Sequence, residues 1–300
     1  MGRAGLARLS LATAGATWVL LVAGALVTST GSGDAVPDWW FLPISYGSFL
    51  PPMVGGVLFE HGHRLVATTV GLLALALAFA LARSHAPRAE RSLGFAVLGA
   101  VVLQGILGGV RVFRFQPTLV AVLHASLAQA IFGGTVALAV LHSRAWDRAE
   151  RAGADRDTAP LVGLSGATAV LAYVTLVLGA VMRHTGKGIA VHVLLAGITT
   201  LCTTLAASLG LRSEERSLRR PALALAVLLS VQLALGIGSL VIVTTAFQRS
   251  TAAPPLHLAT VTAHLAVGAG LLASALVLAM RARRTYGARA AFAAPAEAAA

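Results

Sequence analysis

Four histidines carry the strongest chemical signal in this sequence. His63, His124, His192 and His264 each stand inside a long apolar stretch. Ionisable side chains are disfavoured in hydrocarbon, and where they occur they mark functional positions. A lone histidine in a soluble core is usually there for its hydrogen bonds. Four at matched positions in two similar halves point to ligation instead. Two imidazoles facing one another across a helical bundle suit a haem iron with bis-histidine coordination. Zinc or copper would take a third or fourth donor. The neighbouring stretches offer no His, Cys or carboxylate at that level. Gly105, Gly108, Gly109, Gly236 and Gly238 leave room for a flat macrocycle, or equally for close helix packing.

Glu60 is the acid–base candidate. It precedes His63 in Glu60-His61-Gly62-His63-Arg64. At that spacing the two share a helix face with about 4.5 Å of rise between them. Glu60 is then either a carboxylate complementing a helix N-terminus or an acid or base over the edge of a ligand held by His63. The second half has Gly188-Ile189-Ala190-Val191-His192 in the matching place, with no carboxylate. One half is therefore expected to be catalytic and the other supporting. His61 points about 160° away from His63 on a helix, so both cannot face one iron. His184 and His257, at outer helix ends, and His85 and His142, at cytoplasmic ends, read as interfacial or solvated. Arg64, Arg111, Arg183, Lys187 and Arg249 fall at the outer rim, where they could pair with haem propionates or serve as ordinary rim charges.

The elements that must position these groups are membrane helices. The sequence is 57% hydrophobic and 11% charged, against about 25% charged in soluble domains. Its apolar runs are continuous rather than alternating, which favours helices over a barrel. Eight spans can be drawn, at about 9–29, 61–82, 93–111, 119–142, 161–182, 189–211, 221–246 and 257–280. The stretch from Leu9 to Val27 reads as the first span, not a cleaved leader. Of the 23 basic residues, 17 collect on one side of this layout. The positive-inside rule puts that side, and both termini, in the cytoplasm. Short basic clusters between apolar runs argue against nucleic acid as a partner. The single cysteine, Cys202, excludes an intramolecular disulfide.

The outer connection at residues 30–60 reads as an ordered surface loop, with Trp39 and Trp40 suited to the interface. The tail after Arg284 is Ala-rich and expected to be disordered. A repeat is visible. GALVTSTGSG (24–33) ends span 1 and GAVMRHTGKG (179–188) ends span 5, while Gln104 and Gln232 open similar Gly-containing segments in spans 3 and 7. The expected fold is all-α, integral to the membrane, with eight transmembrane helices as two four-helix bundles. Four spans separate the repeats, so a pseudo-twofold axis should lie along the membrane normal. The halves are 1–155 and 156–300.

These residues resemble the heme A synthase family. The likeness rests on Glu60, His63 and Arg64 at the start of span 2, and on Leu123-His124-Ala125 with Gln129 behind it. The Thr-Gly-x-Gly ends of spans 1 and 5 and the histidines of spans 6 and 8 complete it. It covers about residues 9–282. The resemblance implies oxidation of the C8 methyl of heme O to a formyl group, giving heme A for terminal oxidases. It implies that His63 and His124 hold the substrate haem, that His192 and His264 hold a permanent haem b, and that Glu60 assists at the methyl. It further implies an electron acceptor, contact with heme O synthase and oxidase assembly, and a place in the cell (inner) membrane, with homo-oligomerisation left open. The sequence departs from the family in two places. The first outer loop has no cysteine pair, and Thr28-Ser29 stands where many members have Thr-Arg. A di-haem cytochrome that only passes electrons is the main competitor. All four histidines near one face favour the enzyme.

The arginine distribution predicts that tags at Asp155 and after Ala300 are cytoplasmic and that a tag near Asp34 is on the outer side. Labelling of Asp155 by an impermeant reagent in intact cells would reverse the topology.

Overall fold

A computed structural model describes residues 1–38, 43–113, 118–148, 159–246 and 255–287. The expectations for Trp39, Trp40, Arg114, Arg151, Asp155, Arg156, Arg249, Arg289, the division at 155/156 and the tail beyond Gly287 lie outside them. The described chain forms α1 (Arg3–Ser29), α2 (Gly55–Ala82), α3 (Arg88–Phe113), α4 (Thr118–Leu141), the short α5 (Arg144–Arg148), α6 (Ala159–Thr185), α7 (Ile189–Arg212), α8 (Arg216–Ala246) and α9 (Pro255–Tyr286). All except α5 are long and apolar enough to cross a membrane. The protein is a multi-pass, all-α membrane protein, and spans 5–8 of the sequence are α6–α9.

Several helices begin earlier than hydropathy suggested. Helix α2 starts at Gly55, so Glu60 sits more than a turn inside it and does not cap its end. Helix α8 starts at Arg216 and carries Pro221 within. Pro221 has no N–H for the carbonyl four residues earlier. That carbonyl, on Ser217, accepts a hydrogen bond from Arg281 Nη1 at 2.8 Å instead. Helix α9 runs on to Tyr286, which is buried and hydrogen-bonds Ser213 Oγ at 2.9 Å. The chain past Arg284 thus begins ordered, because Thr285 and Tyr286 have burial to gain.

The packing forms two rings of four. In the first, α1 lies between α2 and α4, and α3 closes the ring; in the second, α6 lies between α7 and α9, and α8 closes it. Helices α1, α4, α6 and α9 make the seam. Among the hydrogen bonds that cross it, two lie in matching places. Trp18 Nε1 donates to the Ala266 carbonyl at 3.0 Å, and the Tyr173 hydroxyl to the Ser126 carbonyl at 3.3 Å. Trp18 precedes Gly24 by the interval at which Tyr173 precedes Gly179, and Ser126 follows His124 as Ala266 follows His264.

The well-packed core sits in the half of each bundle nearer the arginine-rich ends. Leu77, Leu81 and Leu138 in the first bundle and Leu161, Leu218, Leu225 and Leu278 in the second are fully buried there. Polar contacts close the same end. Arg3 Nε donates to Asp147 Oδ2 at 2.8 Å. His142, expected to be interfacial or solvated, is only 2% exposed. Its Nδ1 is 2.9 Å from Ser10 Oγ and its Nε2 3.2 Å from Glu90 Oε2. Helices α1 and α3 each supply one partner for this imidazole, which is why it buries.

Replacing His142 with Ala strands Ser10 and Glu90 in the core. A loss of roughly 1–3 kcal/mol is expected for such unsatisfied groups, read as a lower thermal midpoint of the detergent-solubilised protein. An unchanged midpoint would show that the cluster contributes nothing.

Candidate functional site

Each of the four histidines lies against a glycine of the preceding helix in its own ring. A Cβ at Gly24 on α1 would stand 3.2 Å from His63 Cε1, and one at Gly179 on α6 would stand 3.2 Å from His192 Cε1. A Cβ at Gly108 on α3 would be 3.4 Å from His124 Cε1, and one at Gly236 on α8 3.1 Å from His264 Cε1. A side chain at Gly24, Gly179 or Gly236 would therefore press on the imidazole, which would have to give by a few tenths of an ångström, and one at Gly108 would just touch it. Gly24 and Gly108 each lie five residues before the end of their helix and Gly179 six. That is about 7–9 Å of rise from the end, which sets the depth of the rings.

One glutamine per bundle sits a turn before its glycine. Gln104 Nε2 donates to the His124 carbonyl at 2.9 Å, and Gln232 Nε2 lies 3.4 Å from His264 Nε2. The Nδ1 atoms of all four histidines are buried without a hydrogen-bond partner. His63 and His124 are within electrostatic reach of one another, as are His192 and His264. Among the described residues no three His, Cys, Asp or Glu side chains converge to hold a bare metal ion. Paired imidazoles backed by glycine, at a level above the leucine core, fit a flat metal macrocycle taking one ligand from each side.

Glu60 is 5% exposed. Its Oε2 accepts from the Val36 amide at 2.8 Å, and its Oε1 from Arg64 Nη2 at 2.8 Å. Arg64 also donates to the carbonyls of Val36, at 3.3 Å, and Asp38. The pair clasps residues 36–38 onto α2. His61, fully buried, serves the same loop. Its Nε2 lies 3.0 Å from the Phe49 carbonyl, which can only accept, so Nε2 carries the proton. Its Nδ1 then accepts from Ser45 Oγ at 2.7 Å. Both ring nitrogens are committed, and His61 is not available as a ligand here.

Two residues near the first pair escaped their full weight in the sequence. Arg111 lies close enough to His63 and His124 to interact electrostatically with both, and His184, from α6, with His124. His184 is thus half-buried across the seam rather than simply interfacial. Arg183 Nη2 donates to Ser29 Oγ, so the arginine of the second half reaches the end of α1. Gly24 and Gly179 were not singled out either, although they open the two repeated motifs.

Comparison with known proteins gives the same picture. A fold of eight candidate membrane helices with a histidine pair in each ring defines a polytopic membrane protein. The family model described as cytochrome oxidase assembly protein matches residues 54–194. That stretch includes Glu60, His63, His124 and His192 and stops short of His264. The chain is similar to the heme A synthase of Symbiobacterium thermophilum, 33% identical over 60% of each chain. It is similar to that of Shouchella clausii, 32% identical over 62% of each, and that of Alkalihalophilus pseudofirmus, 31% over 41% of each. The match to the first two spans only about 60% of those relatives' length. The resemblance to the heme A synthase family expected from the motifs is borne out.

Glu60→Ala should release the Val36 amide, and its hydrogen exchange should speed up about 5- to 150-fold, as expected for a lost buried bond of roughly 1–3 kcal/mol. Unchanged exchange at Val36 would mean that the loop is held without this carboxylate.

Proposed function

We propose that the chain is a haem-modifying membrane oxidase that converts heme O to heme A by oxidising the C8 methyl to a formyl group. The observation that carries this reading is the histidine-on-glycine contact, made twice in each ring. His63 and His124 hold the substrate haem, and His192 and His264 hold a resident haem b. When bound, that haem supplies one-electron redox capacity. The matched hydrogen bonds of Trp18 and Tyr173 across the seam support a pseudo-twofold axis along the membrane normal. The 1–155 and 156–300 halves then divide the work. The arginine-rich ends and both termini face the cytoplasm, and the membrane is the cell membrane. Heme O synthase and the assembling terminal oxidase are the natural partners for substrate and product.

Methyl-to-formyl conversion takes in one water and releases four electrons and four protons, the electrons leaving to an acceptor. The protein must therefore hold the ring still, deliver water and accept protons at the ring edge. His63 and His124 provide the first function. Arg111, within electrostatic reach of both histidines, is the group proposed to pair with a propionate and fix the ring's rotation. Glu60, one turn before His63, is the group proposed to orient water and take a proton. Ile189 stands in the matching place on α7, which leaves the second half without this chemistry.

A second reading of Glu60 has its own support. Both its oxygens already accept hydrogen bonds, so it serves as a clasp for the outer loop. Each oxygen keeps a further lone pair, so the carboxylate can clasp the loop and still accept from a water.

Haem extraction and chromatography after co-expression with a heme O source tests the proposal. Wild type should yield heme A. Glu60→Gln should keep its haem and form heme A about 10²-fold more slowly or worse, in the range of general acid–base effects. Wild-type rates in Glu60→Gln would leave only the clasp. Changing His192 and His264 together to Ala should remove protohaem from the purified protein, and an unaltered protohaem spectrum would refute the assignment.

A further inference from the structure

We propose that a cavity at the arginine-rich end of the second bundle binds the headgroup of an anionic phospholipid from the adjoining leaflet. The cavity, about 780 Å³ and open to the surface, lies between α5, α8 and α9, well away from the histidines. Arg216, Arg219, Arg220 and Arg281 line it, and among the described residues no acidic side chain does. Glu215 lies beside it with Oε1 accepting from the Ser217 amide at 3.3 Å, which turns that carboxylate to the helix end.

The guanidinium groups are unequally engaged. Arg219 Nε donates to the Ser213 carbonyl at 3.0 Å, and Arg281 Nη1 covers the Ser217 carbonyl left open by Pro221. Arg281 Nε and Ser217 Oγ are buried without a hydrogen-bond partner. Arg216, Arg219 and Arg220 are exposed, and Arg281 is half-buried. Arg281 thus shapes the floor, Arg219 is tied in part to the backbone, and Arg216 and Arg220 present charge to an incoming anion.

Polarity along the cavity decides between a lipid and a free anion. Below the arginines the wall becomes mostly apolar, with Ala224, Ala273 and Val277 and the single hydroxyl of Ser274. Ala273 lies eight residues before Arg281 on α9, about 12 Å deeper along the helix. Charge at the end and hydrocarbon a turn or two further in is the order of a phospholipid in its own leaflet. Basic pockets between membrane helices recognise such headgroups. A phosphate ion would use only the upper part.

The test uses the full chain, purified in detergent and stripped of lipid. Native mass spectrometry follows binding of phosphatidylglycerol, phosphatidylcholine and, separately, inorganic phosphate. Phosphatidylglycerol should bind in preference to phosphatidylcholine and resist displacement by millimolar phosphate. The double variant R216Q/R220Q, with both sites exposed and outside the packed core, should bind it about 25-fold more weakly, from roughly fivefold per arginine. The control R88Q/R91Q, on the first bundle, should bind as wild type does. Equal binding of phosphatidylcholine, unchanged binding in R216Q/R220Q, an equal loss in the control, or displacement by phosphate would each overturn the proposal.

Discussion

The site depends on one contact made four times, an imidazole edge resting on a glycine of the helix beside it. A Cβ at any of these glycines would come within 3.1–3.4 Å of a ring carbon. At Gly24, Gly179 and Gly236 the ring would have to give, and a metal ligand displaced by a fraction of an ångström loses its bond geometry. Packing beneath this level is carried by buried leucines, and at this level by glycines and histidines. The division lets a rigid lower bundle hold ligands at its upper end.

The two rings share this plan and differ in what covers it. Over the first, a loop is fastened by Glu60, His61 and Arg64, all on the first turns of α2. Over the second, Gly186 and Gly188, both left-handed, turn the chain directly from α6 into α7. A short turn leaves nothing to lift, and a clasped loop does. The asymmetry is in line with the roles proposed for the two rings. It also gives Arg64 a structural task at the outer loop.

Much of this was legible in the sequence. Eight spans, their alternation and the four histidines followed from hydropathy and spacing, because a membrane helix must be apolar throughout and cannot hide an imidazole. What hydropathy could not see was polar structure at helix ends. Helix α2 begins at Gly55, before its apolar run, so Glu60 looked terminal when it is internal. His142 looked interfacial or solvated because its partners, Ser10 and Glu90, lie on two other helices. The matched pair Trp18 and Tyr173 differ in residue type, so the repeat they mark is invisible to similarity and clear in their hydrogen bonds. Gly24 and Gly179 were written at the head of each repeated motif, yet only the packing shows what they touch.

The central claim is that each ring holds one haem between its two histidines. Electron paramagnetic resonance of the oxidised, purified protein tests it most directly, with haem content measured on the same sample. The account predicts low-spin ferric signals of bis-histidine haem, and a second such signal when the substrate haem is supplied. A predominantly high-spin signal, or a protein that takes up no haem, would contradict it.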